Sequence, residues 1–302
     1  MIGKELDRII IYDGLNCYDS CIITYLHHIG KRENLIYDHL WEETDLVYDE
    51  INKCYLSRSF TDNLYHFFGI SIKKQELEAD EIMSLLDKEQ IIMVKVDLIQ
   101  YPFSPSYQQR SAPHYFLVHG YDESDNMILF SDPSRKHLNQ KMEMKMLLDI
   151  QKEINVFSRN DGELTSDFCV ADLIESCIKV KNRTAENMKK LMTYQSSSLN
   201  EYAEKHQAAG LYFTRLGTNR ACFVHFLEEL YQKNALVFSH TDEFMHISKR
   251  YSALKNMFYK LLCSRNLSEH SYDHIIEYYE KVLEEEKRMA SVLMQEMKSI
   301  NR

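Results

Sequence analysis

Two apolar runs joined by a polar turn constrain this chain more than any other feature. HYFLVHGYD (residues 114–122) and NMILFSDPS (126–134) are rich in β-branched and aromatic side chains, and DESDN lies between them. Such runs read as strands, and the turn closes them into an antiparallel hairpin. In that hairpin opposed residue numbers sum to about 248, which sets residue 116 across from 132. Strand side chains alternate faces with a period of two, so 114 and 116 share one face. The side chains of His114 and Asp132 can therefore meet at the open end of the hairpin. His119 falls on the opposite face and nearer the turn.

A His that donates one ring N–H to a carboxylate can use its other nitrogen as a base, so a nucleophile is the natural third member. CYDSCIITYLHHIGK (17–31) has the apolar spacing of a helix, with Gly30 as its C-cap and Cys17 in its first turn. Unsatisfied backbone N–H groups and the helix dipole at that position favour a thiolate. A helix-borne Cys, then His at the start of a strand, then Asp at the end of the next, is the order found in papain-like cysteine enzymes. Cys17, His114 and Asp132 are the candidate catalytic residues. Each alone has a plainer reading: a small buried thiol, a polar strand-edge residue and a turn-forming Asp-Pro.

Cys21 lies one turn beyond Cys17 and could share its face. A disulfide is geometrically awkward at that spacing, and no recognised zinc pattern accompanies the pair, even with His28 as a third ligand. No metal is expected. The backbone N–H of Cys17 is one natural oxyanion donor, and Asn16 is the candidate for the second. Asn16 equally suits the N-cap of the helix. The proline-rich loop QYPFSPSYQQRSAPH (100–114) offers Tyr101, Phe103 and Tyr107 as pocket walls, or as ordinary packed aromatics.

The chain around this core reads as α+β. IIMVKVDLI (91–99) is a buried strand, and helices are expected near 36–54, over 61–68, in DEIMSLLDKEQ (80–90) and in KMEMKMLLDIQ (141–151). FSRNDGELTSDF (157–168) reads as a polar connector, beyond which no strand pattern appears. These patterns predict a papain-like catalytic domain over 1–160 and an all-helical domain over 161–302. The last helix carries a near-heptad seam through Ile275, Tyr279, Val282, Glu286, Met289, Leu293, Met297 and Ile300. It would pack on its own domain or form a homodimer seam.

Charge narrows the partners. The 302 residues carry a net charge of −10, which disfavours nucleic acid and anionic membrane surfaces. No apolar stretch approaches a membrane span, and the N-terminus does not read as a signal peptide. Seven scattered cysteines without an export signal are then expected to be reduced thiols in the cytoplasm.

With these residues in place, the chain resembles the butirosin-type, acyl-carrier-protein-dependent acyltransferases. Their N-terminal domain is papain-like and peptidase C39-like. The matching stretches are the Cys17 helix ending in HHIGK, the strand and loop IIMVKVDLIQYPFSPSY, and HYFLVHGYDESDNMILFSDPS. GLYFTRLGTNRACFVHFLEELYQK (210–233) is similar to a helical segment of that family's C-terminal domain. Two departures stand out. Asn16 replaces a His often found before the Cys, and WEETDLVYDEINKCYLSRSF (41–60) lacks the expected glycines.

The resemblance implies a cysteine acyltransferase of natural-product biosynthesis. Cys17 would carry the acyl group, His114 would act as base and later acid, and Asp132 would orient the ring. The donor would be an acyl carrier protein, the acceptor a small-molecule amine, with no cofactor beyond the donor's phosphopantetheine. Lys31, Arg32, Arg215 and Arg220 are candidates for a basic patch toward the carrier. A cysteine peptidase or amidase, with water as acceptor, is the alternative. A non-catalytic binding module on the same fold is the third reading.

Overall fold

A computed structural model describes residues 2–3, 5–12, 15–38, 40–42, 48–49, 54–55, 60–159, 170–186, 188–189, 199–234, 236–263 and 272–300. The chain forms two compact units, one of residues 1–33 and 60–166, the other of 34–59 and 167–302. Residues 34–59 thus group with the C-terminal helices.

The first unit is built on an antiparallel sheet. Its strands are β1 (Ile2–Gly3), β4 (Ile70–Gln75), β5 (Ile92–Asp97), β6 (Pro113–Asp122), β7 (Met127–Asp132), β8 (His137–Glu143) and β9 (Gln151–Arg159). They run in the order β4-β9-β5-β6-β7-β8, with β1 paired to β6. The helices are α1 (Cys17–His28), α2 (Phe60–Phe68), α3 (Ala79–Asp87) and α4 (Met144–Ile150). Alternation sorts the sheet faces. Ile92, Val94, Val96, Phe116, Val118, Ile128, Phe130, Ile154 and Val156 form one core with Ile82 and Leu86 of α3 and Leu147 and Ile150 of α4. On the other face Tyr18 of α1 meets Tyr115 edge-on at 5.0 Å, and Tyr25 stacks on Phe157 at 3.8 Å.

The hairpin register is the expected one at its open end. Leu117 pairs with Ser131 and Val118 with Phe130, so opposed numbers sum to 248. A bulge between Val118 and Gly120 then shifts the register by one toward the turn.

Besides the two-residue β1, three strands of this unit were not expected from sequence. β4 and β8 are sheet edges, where only one side is paired and polar residues such as Lys73, Lys74 and Lys141 suit the solvent. β9 lies between β4 and β5, yet only residues 154–157 are buried on both faces, and polar residues flank them. The helix expected over 141–151 is instead the end of β8, then α4, then the start of β9.

The expected helix near 36–54 has no α-helical counterpart among the described residues. Tight 3₁₀ turns, Glu33–Tyr37 and Leu40–Glu42, precede a two-strand pair, β2 (Tyr48–Asp49) with β3 (Cys54–Tyr55). Leu35, Ile36, Tyr37, Leu40 and Trp41 are all buried. Consecutive apolar residues buried on every side suit tight turns inside a core better than a one-faced helix. Trp41 packs on Phe223 and Phe244.

Four long α-helices are described in the rest of the second unit: α5 (Val170–Lys181), α6 (Leu199–Gln232), α7 (Thr241–Cys263) and α8 (Asp273–Ile300). Gly217 lets α6 and α7 approach, since a Cβ there would lie 3.1 Å from the Ser248 carbonyl oxygen. The α8 seam from Ile275 to Met297 is buried within its own unit. Ile300 lies outside the residues whose side chains are described. From Ile275 to Met297 the seam thus packs on its own domain.

The seam's one charge is Glu286, fully buried. It accepts hydrogen bonds from Arg183 (2.8 Å), Arg220 (2.7 Å) and the Tyr251 hydroxyl (3.0 Å). Arg220 is therefore a core residue and not part of a surface basic patch. No described helix is long and apolar enough to cross a membrane.

Candidate active site

The first turn of α1 is fixed by its cap. Asn16 has extended backbone, its amide oxygen accepts from the Asp19 N–H (2.8 Å), and its amide nitrogen donates to the Asp19 carboxylate (2.7 Å). This is the capping role that sequence allowed. One of the two Asn16 amide N–H groups is thereby engaged by Asp19. Cys17 follows as the first helical residue and is partly exposed, with its N–H among those the helix leaves without an internal partner.

β6 and β7 bring His114 and Asp132 together. His114 Nε2 lies 2.6 Å from Asp132 Oδ2, with both side chains buried. Asp132 accepts only, so Nε2–H donates to it and Nδ1 is the nitrogen left for other chemistry. Asp132 is itself held by the turn after β7. Its Oδ1 accepts from the Arg135 N–H and the Ser134 hydroxyl, each at 3.2 Å. The local sequence DPSR explains this, because Asp caps the short turn and Pro133 supplies its fixed φ.

The Cys17 thiol lies close enough to the same imidazole to act on its charge. Burial opposes a charge on His114, but the hydrogen bond it donates to Asp132 and the nearby Cys17 outweigh it and push the ring's pKa up to about 9. The ring therefore holds its proton at neutral pH. Cys21, one turn on, is fully buried, and burial first, then Asp132 and Cys17, hold its thiol protonated. It packs as an inert neighbour.

The loop aromatics divide. Tyr101 is wholly buried, stacked on Phe116 at 5.3 Å with its ring 5.4 Å from His114. It braces the imidazole from behind and has no surface to offer a substrate. Burial, then the nearby Asp132 carboxylate, raise its phenol well above the ordinary value. Phe103 packs edge-on against Phe130 at 4.9 Å, against the same core. Tyr107 alone of the three is exposed.

Sequence reasoning passed over three contributors. Ser134 and the Arg135 N–H orient Asp132, and DPS is a recognisable cap signal. Tyr115 belongs to the face that meets α1, which its odd-numbered position in β6 already encodes.

No family model matches the chain, and no curated protein sequence matches it. The site is thus defined by its own geometry: a partly exposed thiol at a helix start, a buried imidazole and a buried, turn-held carboxylate.

Proposed function

We propose that this protein is a papain-like cysteine acyltransferase that moves an acyl group from a carrier-protein thioester to an amine. The observation that carries the reading is one imidazole bonded to Asp132 at 2.6 Å and close enough to Cys17 for the thiol to raise the ring's pKa. That is the wiring of a base-activated thiol nucleophile. The choice of thioester donor and amine acceptor rests on the family resemblance of the Cys17 helix, the loop and the hairpin.

In the proposed cycle the Cys17 proton already rests on the His114 ring, and the Cys17 sulfur attacks the thioester carbonyl. The tetrahedral oxyanion forms beside the α1 N-terminus, where the Cys17 N–H can donate to it. Collapse breaks the carbonyl–sulfur bond of the donor, and His114 returns the proton to the departing pantetheine thiol. An amine then attacks acyl-Cys17. His114 takes the proton the nitrogen loses, the amide forms, and Cys17 leaves as thiolate. Asp132 holds the ring throughout. The setting proposed is natural-product biosynthesis in the cytoplasm.

Intact-mass analysis after incubation with an acyl-pantetheine thioester tests this. We expect one acyl adduct, absent in Cys17→Ala and discharged by a primary amine faster than by water. Rapid discharge by water alone would make the protein a hydrolase of the same fold. No adduct on the wild type, or an equal one on Cys17→Ala, would end the enzymatic reading.

A further inference from the structure

A second concave site lies in the same unit, at the other end of α1. Cys17 is the first residue of that helix and His28 the last, about 16 Å apart along its axis. The pocket has a volume of about 540 Å³, within the range of small-molecule sites. Its base is buried and preformed: Tyr25 stacked on Phe157, with ring planes 7° apart, and His119 beside them. His119 occupies the extra position of the β6 bulge, and its Nε2 lies 2.9 Å from the Ser131 hydroxyl. Bulges of this kind often re-aim a side chain into a site.

The rim is cationic. Lys88 and Arg159 are exposed at its edge, and His28 closes it from the last turn of α1. Arg159 also hydrogen-bonds the Tyr25 phenol, which ties its guanidinium to the floor. Glu89 is the one acidic residue in the lining. In a chain of net charge −10, a pocket lined by two full cations, two imidazoles and one carboxylate is set apart in sign.

We propose that this pocket binds a small organic anion, by its carboxylate or phosphate group, independently of the Cys17 site. Guanidinium and ammonium groups on the rim would hold the anionic oxygens, and the aromatic floor would take the apolar part.

The test is NMR titration of the full chain, at constant ionic strength, with inorganic phosphate in one arm and benzoate in the other. We expect saturable shifts of the Arg159 side-chain N–H and the His28 and His119 rings in at least one arm. Arg159→Gln and Lys88→Gln should each weaken binding about tenfold or more, the loss expected for one charge-assisted contact. Both residues are exposed, so the variants should fold. Lys145→Gln, which removes an exposed cation not in the pocket lining, should leave the affinity unchanged, as should Cys17→Ala. Saturation in the phosphate arm alone assigns a phosphoryl ligand, and in the benzoate arm alone a carboxylate. Linear shifts in both arms, binding that survives both rim substitutions, or equal loss in Lys145→Gln would overturn the proposal.

Discussion

His114 concentrates the chemistry in one ring whose charge is set by two neighbours. Its proton is retained to about pH 9 because Asp132 and Cys17 stabilise the imidazolium more than burial penalises it. The folded value lies above the ordinary 6.5, so the stabilisation is complete below about pH 6.5 and is lost as pH rises through 9. In Asp132→Asn the ring loses its anionic partner. Its titration, followed by NMR of labelled His, should move down from about 9. Acylation of Cys17 should slow by about 10²–10⁴-fold, the usual worth of an oriented acid–base group. An unchanged midpoint would show that Asp132 does not hold the ring.

At the scale of elements, α1 and α8 each depend on one polar residue. Asn16 caps α1, and its removal to Ala should cost about 1 kcal/mol in urea unfolding. Asn16→Ser keeps a capping oxygen and deletes the amide donor. We expect it to restore stability and to leave the acylation rate within about threefold of wild type, because the amide is already bonded to Asp19. A loss of about 10²–10³-fold would instead make Asn16 an oxyanion donor. In α8, Glu286 is the only carboxylate bonded to Arg183 and Arg220 among the described residues. Burial opposes its charge, but the two guanidiniums win and hold its carboxyl below the ordinary range. Its stabilisation is therefore present above about pH 4.5 and is lost as pH falls through the lower folded value. Glu286→Gln should destabilise the protein by about 3–5 kcal/mol, since it leaves two buried cations unbalanced. Urea unfolding at pH 7 measures this.

For the molecule as a whole, the division of the chain matters more than its length. Residues 34–59 interrupt the first unit in sequence yet cluster with the second. Their apolar side chains, Leu35, Ile36, Tyr37, Leu40 and Trp41, are buried in the full chain, Trp41 against Phe223 and Phe244. A chain cut after Ser166 would lose both phenylalanines. It should bind the dye ANS and aggregate, whereas the full chain should not. A monomeric, dye-silent fragment would show that 34–59 packs adequately without the helices.

The hairpin was legible because its information is local. A short turn fixes the register, the register fixes which residues oppose, and a period of two fixes the faces, so His114 and Asp132 could be paired before any fold was known. The helix start at Cys17 was local in the same sense, through Asn16 and the apolar spacing behind it. Edge strands such as β4 and β8 were not legible, because a strand paired on one side need not alternate. The placement of 34–59 was not legible either, since burial from all sides erases periodicity. The amino-acid sequence by itself determined the partners within each element. Only the tertiary structure decided that the thiol of one helix meets the imidazole of a distant strand, because that meeting depends on long-range packing of α1 against the sheet, which no local pattern encodes.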